Sequence, residues 1–357
     1  MSLSYQVIDM LKILLPSTVA FIVGVAITPL VAHYLYKHEM WKKSARTEGL
    51  GGGGTPIFNG LHKEREVSTP RMGGIVIWGS VFITTAMFWV LSLITNISLF
   101  EKLNFLSNNQ TWLPLATLFV GSFVGLLDDF FQVRGIGGYR AGGISLTRRI
   151  VVILLIGLLA GVWFYFKLDR TDINIPFFIE SLDVGILIIP FLVLVMVSLF
   201  SGGVIDGIDG LAGGVLASIF AAYAGIAFFQ QQIDISALCA VFTGGILAFL
   251  WFNIPPARFY MGETGMMGLT ATLAVIAFLT RAEIPLLIIA LPLYIVSGSV
   301  IIQVLSKKFR NGKKVFLVAP VHHHFEALGW PPEKVTMRFW VVGVICAILG
   351  MIVALIG

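Results

Sequence analysis

The chain has 357 residues, of which 57% are hydrophobic and only 12% charged, with a formal net charge of +5. A soluble domain carries about 25% charged residues, so this composition excludes an array of soluble domains and predicts an all-α, polytopic integral membrane protein. No basic domain stands apart from the apolar segments, so nucleic acid is not an expected partner.

A membrane span needs about 20 apolar residues, and about ten segments qualify. In chain order they lie near 10–33, 73–96, 112–131, 149–166, 184–200, 211–229, 235–252, 264–281, 284–304 and 338–356. The first stretch, Leu11 to Ala32, lacks a small-residue cleavage site and reads as a span rather than a signal peptide. Ten spans place the loops 34–72, 128–149, 201–210, 253–263 and 305–337 on one side. Those loops, with Arg338 at the edge of the last span, hold every Lys and Arg except Lys12, Lys102, Lys167, Arg170 and Arg281. The positive-inside rule puts them in the cytoplasm and both termini outside. All six histidines fall on that side or at its membrane edge. The glycine run Gly51–Gly54 predicts a mobile connection in the first loop, and the external segment 167–183 predicts a short hairpin. Cys239 and Cys346 lie in apolar segments, form no Cys-x-x-Cys pair, and read as small buried hydrophobes.

Ionisable groups near membrane depth are costly and usually functional. Asp128-Asp129 closes the segment Gly121 to Leu127. Adjacent carboxylates repel and need a cation or a proton between them, although capping the end of a span is the plainer reading. In Asp206-Gly207-Ile208-Asp209-Gly210 the i, i+3 spacing puts both carboxylates on one face if the segment is helical, and Asp209 also suits a cap for the helix from Leu211. Glu263, in Met261-Gly262-Glu263-Thr264-Gly265, follows Asn253-Ile254-Pro255-Pro256-Ala257-Arg258 and falls at the N-terminus of a span. There it either caps the helix or holds a cation while the helix amides face a phosphate.

The run Ala319-Pro320-Val321-His322-His323-His324-Phe325-Glu326 lies in a basic loop between two apolar helices. Adjacent imidazoles beside a carboxylate offer proton donors, anion-binding groups and metal ligands. Consecutive side chains diverge, which makes three-fold ligation of one Zn²⁺ awkward and favours contacts to a diphosphate or sugar. Carboxylates with phosphates are the usual Mg²⁺ environment. The residues alone point to metal-assisted phosphoryl chemistry at the cytoplasmic membrane surface.

Pro320-Val321-His322-His323-His324-Phe325-Glu326, followed by Gly329-Trp330, resembles the signature of the phospho-N-acetylmuramoyl-pentapeptide transferase (translocase I) family. That family lies within the polyprenyl-phosphate N-acetylhexosamine-1-phosphate transferase superfamily. Thr69-Pro70-Arg71-Met72-Gly73-Gly74 is similar to its Pro-Thr-Met-Gly-Gly segment, Asp128-Asp129 to its Asp-Asp motif, Asp206 and Asp209 to its Asp-Gly-Leu-Asp-Gly, and Trp251 through Gly265 to its Asn-x-x-Pro-Ala-x-x-x-Met-Gly-Asp-x-Gly-Ser. The resemblance covers nearly the whole chain and implies one glycosyl-4-like transferase domain over 1–357.

It also implies transfer of phospho-MurNAc-pentapeptide from UDP-MurNAc-pentapeptide to undecaprenyl phosphate, giving lipid I and UMP, with Mg²⁺. The setting is the bacterial plasma (inner) membrane with a cytoplasm-facing site in contact with membrane lipid, and a homodimer is the family expectation. By resemblance, Asp128 and Asp129 engage the lipid phosphate, and Asp206 and Asp209 shape the nucleotide and metal site. Glu263 takes the position of a Mg²⁺-binding Asp, and Asn253 falls among uridine-site residues. His322, His323 and His324 engage the diphosphate or sugar, and Arg149 retains a downstream cation. The chain departs from the pattern at Glu263 for Asp, Met266 for Ser, Phe200 and Gly203 for two Asn, and Gln132 for Lys. No Lys stands just before Thr69; Lys63 or Arg71 is the substitute at hand. These departures leave two alternatives: a related transferase using another UDP-sugar, and a non-catalytic lipid- or nucleotide-binding relative.

Overall fold

The computed structural model describes residues 5–43, 56–106, 109–136, 143–178 and 180–357. Gly51–Gly54, expected to be mobile, lie outside the described residues. The architecture is all-α. In chain order the helices are α1 (Tyr5–Lys37), α2 (Pro56–Glu66), α3 (Gly74–Ile94), α4 (Ser98–Leu103), α5 (Asn109–Arg134), α6 (Leu146–Lys167), α7 (Ile188–Ser201), α8 (Leu211–Phe229), α9 (Ile233–Asn253), α10 (Glu263–Leu279), α11 (Leu286–Ile289), α12 (Leu291–Phe309), α13 (Val321–Ala327) and α14 (Pro332–Ile356). The expected hairpin is present as β1 (Asp172–Ile173) and β2 (Leu182–Asp183), antiparallel with Asp172 opposite Asp183.

Among the described residues, eight helices are long and apolar enough to cross a membrane. In hydrocarbon every backbone N–H and C=O must be satisfied within the segment, which is why these apolar runs are helical. The other two expected spans differ in form. The one near 264–281 is α10, only 17 residues long. Such a helix is about 25 Å long, short of a bilayer core of about 30 Å. It need not reach both surfaces, because protein encloses it: every residue from Thr264 to Leu279 is buried. The segment near 284–304 is broken at Ala290 into α11 and α12.

Around α10 the packing is close. α5 lies along it, with Gly121 against Gly268 and Gly125 against the Glu263 carbonyl, so the two backbones meet without side chains between them. α7 and α3 cover further faces of α10, α1 and α9 pack beside α3, and α8 packs between α9 and α14. The outer helices turn large apolar side chains outward, among them Leu30 of α1, Leu159 of α6 and Ile356 of α14. Both cysteines are free and buried.

The two ends of the bundle differ. At one end Lys12 of α1 pairs with Asp234 at the head of α9, buried Arg170 bonds Glu283 at 3.0 Å, and the Phe177 amide bonds Gly357 at the chain end. At the other end lie the C-termini of α1, α5 and α12, the turn between α7 and α8, and the head of α10. All the acids singled out in the sequence are at this second end.

Candidate active site

Three loops are stitched together here by backbone and side-chain hydrogen bonds. Residues 70–74 run beside 260–261: the Gly73 and Gly74 amides donate to Tyr260 and Met261 carbonyls at 2.8 and 3.0 Å, and the Tyr260 amide donates to Pro70 at 2.8 Å. This pairing carries Arg71 into the site. On the far side, α12 fixes the basic loop before α13. Gln303 Oε1 accepts the amides of Val315 and Phe316, both at 3.0 Å, and Ser299 Oγ accepts the Val321 amide at 2.9 Å.

Asp128 and Asp129 are both fully buried but have different partners. Asp128 accepts the Gln132 amide group at 2.7 Å and the Ile144 backbone amide at 2.5 Å, with Arg149 Nη1 at 3.5 Å. Asp129 Oδ2 accepts both the amide and the hydroxyl of Thr264, at 2.9 and 2.7 Å. Its Oδ1 is buried without a hydrogen bond and faces Arg71 Nε at 3.4 Å. The adjacent acids therefore have one guanidinium each. Burial works against the charge of Arg71, but the carboxylates of Asp129, Asp206, Glu66 and Glu263 hold its pKa above the usual value.

Glu263 is the first residue of α10 and pairs with Arg149 of α6. It does not cap its own helix. That work is done from α5 by Asp129, and Gly262, at φ +70, makes the turn. A Cβ on Gly262 would also overlap the Asp129 carboxylate, so this close approach needs glycine.

The segment from Asp206 to Asp209 is a turn, not a helix, so its carboxylates part company. Asp206 Oδ2 accepts the Gly262 amide at 2.8 Å and stays with the other acids. Burial pushes its carboxyl up to about 6, against the Gly262 hydrogen bond and the charge of Arg71. Asp209 Oδ2 accepts the Ala257 amide at 3.0 Å. Asp209 does not cap α8 as the spacing allowed: Gly210, at φ +76, occupies the cap position. Asn253 uses both ends on backbone, accepting the Gly210 amide at 2.9 Å and donating to the Phe259 carbonyl at 2.8 Å. In this arrangement it ties the Gly210 turn to the 254–259 loop.

The triple histidine forms the short helix α13. His322 and His323 both turn Nε2 toward Gly207, where a Cβ would stand 2.7 and 2.8 Å from them. His322 is fully buried, neither ring nitrogen has a hydrogen bond, and burial, followed by the neighbouring His323 and His62, holds its pKa well below normal. His324 points elsewhere, its Nδ1 accepting the Leu317 amide at 3.2 Å. The sequence reading missed His62. This α2 side chain bonds Glu326 at 3.0 Å, and a lone His in a loop carries no spacing signal across 264 residues.

Two departures from the expected pattern are neighbours: a Cβ added at Gly203 would stand 3.7 Å from Met266, so Gly in place of Asn and Met in place of Ser leave this spot without polar side chains. Gln132, in place of Lys, bonds Asp128. Of the two cations expected to substitute for the Lys absent before Thr69, Arg71 faces Asp129. The side chain of Lys63 lies outside the described residues.

The donor set suits Mg²⁺. Asp206 and Glu263 offer hard oxygen ligands, and Asp129 Oδ1 is a buried oxygen lacking a hydrogen bond. Mg²⁺ is commonly held by one or two carboxylates together with substrate phosphates.

A family profile described as Glycosyl transferase family 4 matches residues 111–281, the stretch from α5 to α10 that carries the acids. Similarity to curated relatives extends well beyond that window. A phospho-N-acetylmuramoyl-pentapeptide-transferase of Listeria innocua is 32% identical over 94% of this chain and 96% of its own length. Those of Anoxybacillus flavithermus and Bacillus subtilis are 34% and 32% identical, each over 95% of this chain and 97% of their own length. With that identity running over nearly its full length, the chain belongs to the phospho-N-acetylmuramoyl-pentapeptide-transferase family.

Proposed function

We propose that this protein transfers phospho-MurNAc-pentapeptide from UDP-MurNAc-pentapeptide to undecaprenyl phosphate at the cytoplasmic face of a bacterial plasma membrane, giving lipid I and UMP. The observation that carries this reading is the meeting of Asp128, Asp129, Asp206 and Glu263 with Arg71 and Arg149 at one end of the bundle, in a chain of this family. An oxygen of the lipid phosphate attacks the sugar-bearing phosphorus of the donor. A new P–O bond forms, the bond to the bridging oxygen breaks, and UMP leaves with that electron pair. A phosphate monoester is already anionic at about pH 7, so direct displacement needs no covalent enzyme intermediate.

Phosphoryl transfer depends on positioning and charge stabilisation. Arg71 and Arg149 offset the charge of the phosphates and of the buried acids. Asp206 and Glu263 would hold Mg²⁺, which when bound neutralises charge on the diphosphate. The polyprenyl chain has a fitting path. An open apolar groove of about 740 Å³ between α6, α7 and α12 is lined by Leu154, Leu158, Val193, Leu194, Val197 and Ile301. One wall, α7, ends at Ser201, just before Asp206.

The deciding experiment is UMP release from UDP-MurNAc-pentapeptide by purified protein, with and without undecaprenyl phosphate and Mg²⁺. Release that needs both supports the reading. The neighbouring Gly203 and Met266, at positions where the family pattern has polar side chains, favour a second reading, a transferase for another UDP-sugar. Release from UDP-N-acetylglucosamine but not from the MurNAc-pentapeptide donor would select it.

A further inference from the structure

The carboxylate of Glu326 receives two imidazoles on one oxygen. Its Oε2 lies 2.6 Å from His323 Nδ1 and 3.0 Å from His62 Nε2. The two rings meet edge to face, with centroids 4.8 Å apart. His323 and Glu326 are buried, and His62 is only 14% exposed in its side chain. Helix α2, from the first cytoplasmic loop, is thereby docked on α13. The opposite nitrogen of His323, Nε2, faces Gly207. Gly207 follows Asp206, which is bonded to the Gly262 turn at the head of α10. His323 therefore lies between Glu326 on one side and the turn that carries Asp206 on the other.

A carboxylate on the Nδ1 side of an imidazole fixes its tautomer and orientation, and stabilises the cation that donates from Nε2. Glu326 is ionised for this task. Burial opposes its charge, but hydrogen bonds from His323 and His62 bring its carboxyl down to about 2. The same three ligand atoms, all within 4.8 Å of one another, form a set that a transition-metal ion also accepts, so the test must separate the two cases.

We propose that Glu326 and His62 are positioning residues of the transferase: Glu326 aims His323 Nε2 at the diphosphate of the nucleotide substrate, and His62 fixes that carboxylate by docking α2 over the triple-histidine helix. This assignment rests on the transferase reading above. When the bond to the bridging oxygen breaks, negative charge grows on the departing UMP phosphate. The N–H at His323 Nε2 is placed to receive that charge. The effect of losing either positioning residue therefore falls on kcat rather than on KM for the nucleotide.

The test is steady-state UMP release in detergent at saturating undecaprenyl phosphate. Glu326→Gln is expected to lower kcat about tenfold with KM for the nucleotide changed less than about twofold. His62→Ala should lower kcat in the same sense, and His62→Gln, which keeps an N–H donor, should recover most of the loss. The double variant His62→Ala/Glu326→Gln should be no slower than Glu326→Gln alone, because the two act as a unit. Phenanthroline should leave wild-type turnover unchanged. Wild-type kcat in both single variants overturns the proposal, as does a double-variant loss equal to the product of the two single losses. Chelation that stops turnover until Zn²⁺ is restored overturns the hydrogen-bonded assignment as well. If Glu326→Gln fails to fold, the His62→Ala and His62→Gln pair decides. A silent wild type overturns the transferase reading and the positioning role with it, whereas an active wild type with unaffected variants overturns the positioning role alone.

Discussion

Asp129, near the end of α5, caps a helix that is not its own: its Oδ2 accepts the amide and the hydroxyl of Thr264, 135 residues later, on the first turn of α10. One carboxylate thus closes the amide end of a helix buried from Thr264 onward and leaves its second oxygen facing Arg71. The two duties separate by mutation. Thr264→Ala removes one of the two bonds and should cost about 1 kcal/mol of stability, with turnover largely kept. Asp129→Asn keeps an accepting oxygen for the cap but removes the charge, so it should fold and lose turnover by about 100-fold or more. Thermal unfolding in detergent and UMP release, measured on both variants, check this. Equal activity of Asp129→Asn and wild type would remove Asp129 from the reaction.

Glu263 and Arg149 form the second pair on which activity should depend. Glu263→Gln keeps the size of the side chain and removes the ligand charge, so turnover should be abolished. Full activity would sink the assignment of Glu263 to Mg²⁺. Glu263→Asp draws the carboxylate back by one methylene to the length typical of the family. It should retain Mg²⁺-dependent turnover, with a changed Mg²⁺ concentration at half-maximal rate as the readout. Arg149→Ala leaves Glu263 and Asp128 without their shared guanidinium. Its kcat/KM should fall about tenfold to 100-fold, and Arg149→Lys should recover only part because the shorter, freely rotating ammonium lacks the fixed planar fork that places Nη1 between the two carboxylates.

Spans and acids were legible in the sequence because each leaves a local mark. A run of apolar residues as long as a bilayer is thick has to be helical, and a carboxylate at its end stands out against the composition. The helical i, i+3 reading of Asp206 and Asp209 failed because the glycines at 207 and 210 allow a turn that sends one carboxylate to Gly262 and the other to Ala257. The break at Ala290 and the shortness of α10 were hidden because periodicity does not reveal what surrounds a helix. The docking of His62 on Glu326 is a long-range contact with no motif to announce it. Arg71 stood in the reading only as a substitute for a missing Lys; the pairing of 70–74 with 260–261 is what places it against Asp129.

The orientation of the bundle is directly measurable. Both native cysteines are buried, so an impermeant maleimide should react chiefly with an added exposed thiol. Lys314→Cys lies in the loop before α13, and Glu180→Cys lies in the hairpin at the opposite end. In intact spheroplasts, Glu180→Cys should label and Lys314→Cys should label only after lysis. The reverse pattern would turn the protein over and place the acids outside the cytoplasm.

Glu326 makes stability depend on acid in a defined direction. Its carboxyl sits at about 2 in the folded protein against an ordinary value of 4.5. The folded state therefore binds fewer protons than the unfolded chain between those values. A depressed carboxyl contributes fully above the unfolded value and loses its contribution as pH falls through the folded one. The titratable groups that face it are His62 and His323, both bonded to its Oε2. Glu326→Gln lacks this contribution at every pH. The gap between wild-type and Glu326→Gln unfolding midpoints should be steady above about pH 5 and close progressively as pH falls from about 4.5 toward 3. A gap that stays constant over that range would show that the carboxylate is not held by the two imidazoles in solution.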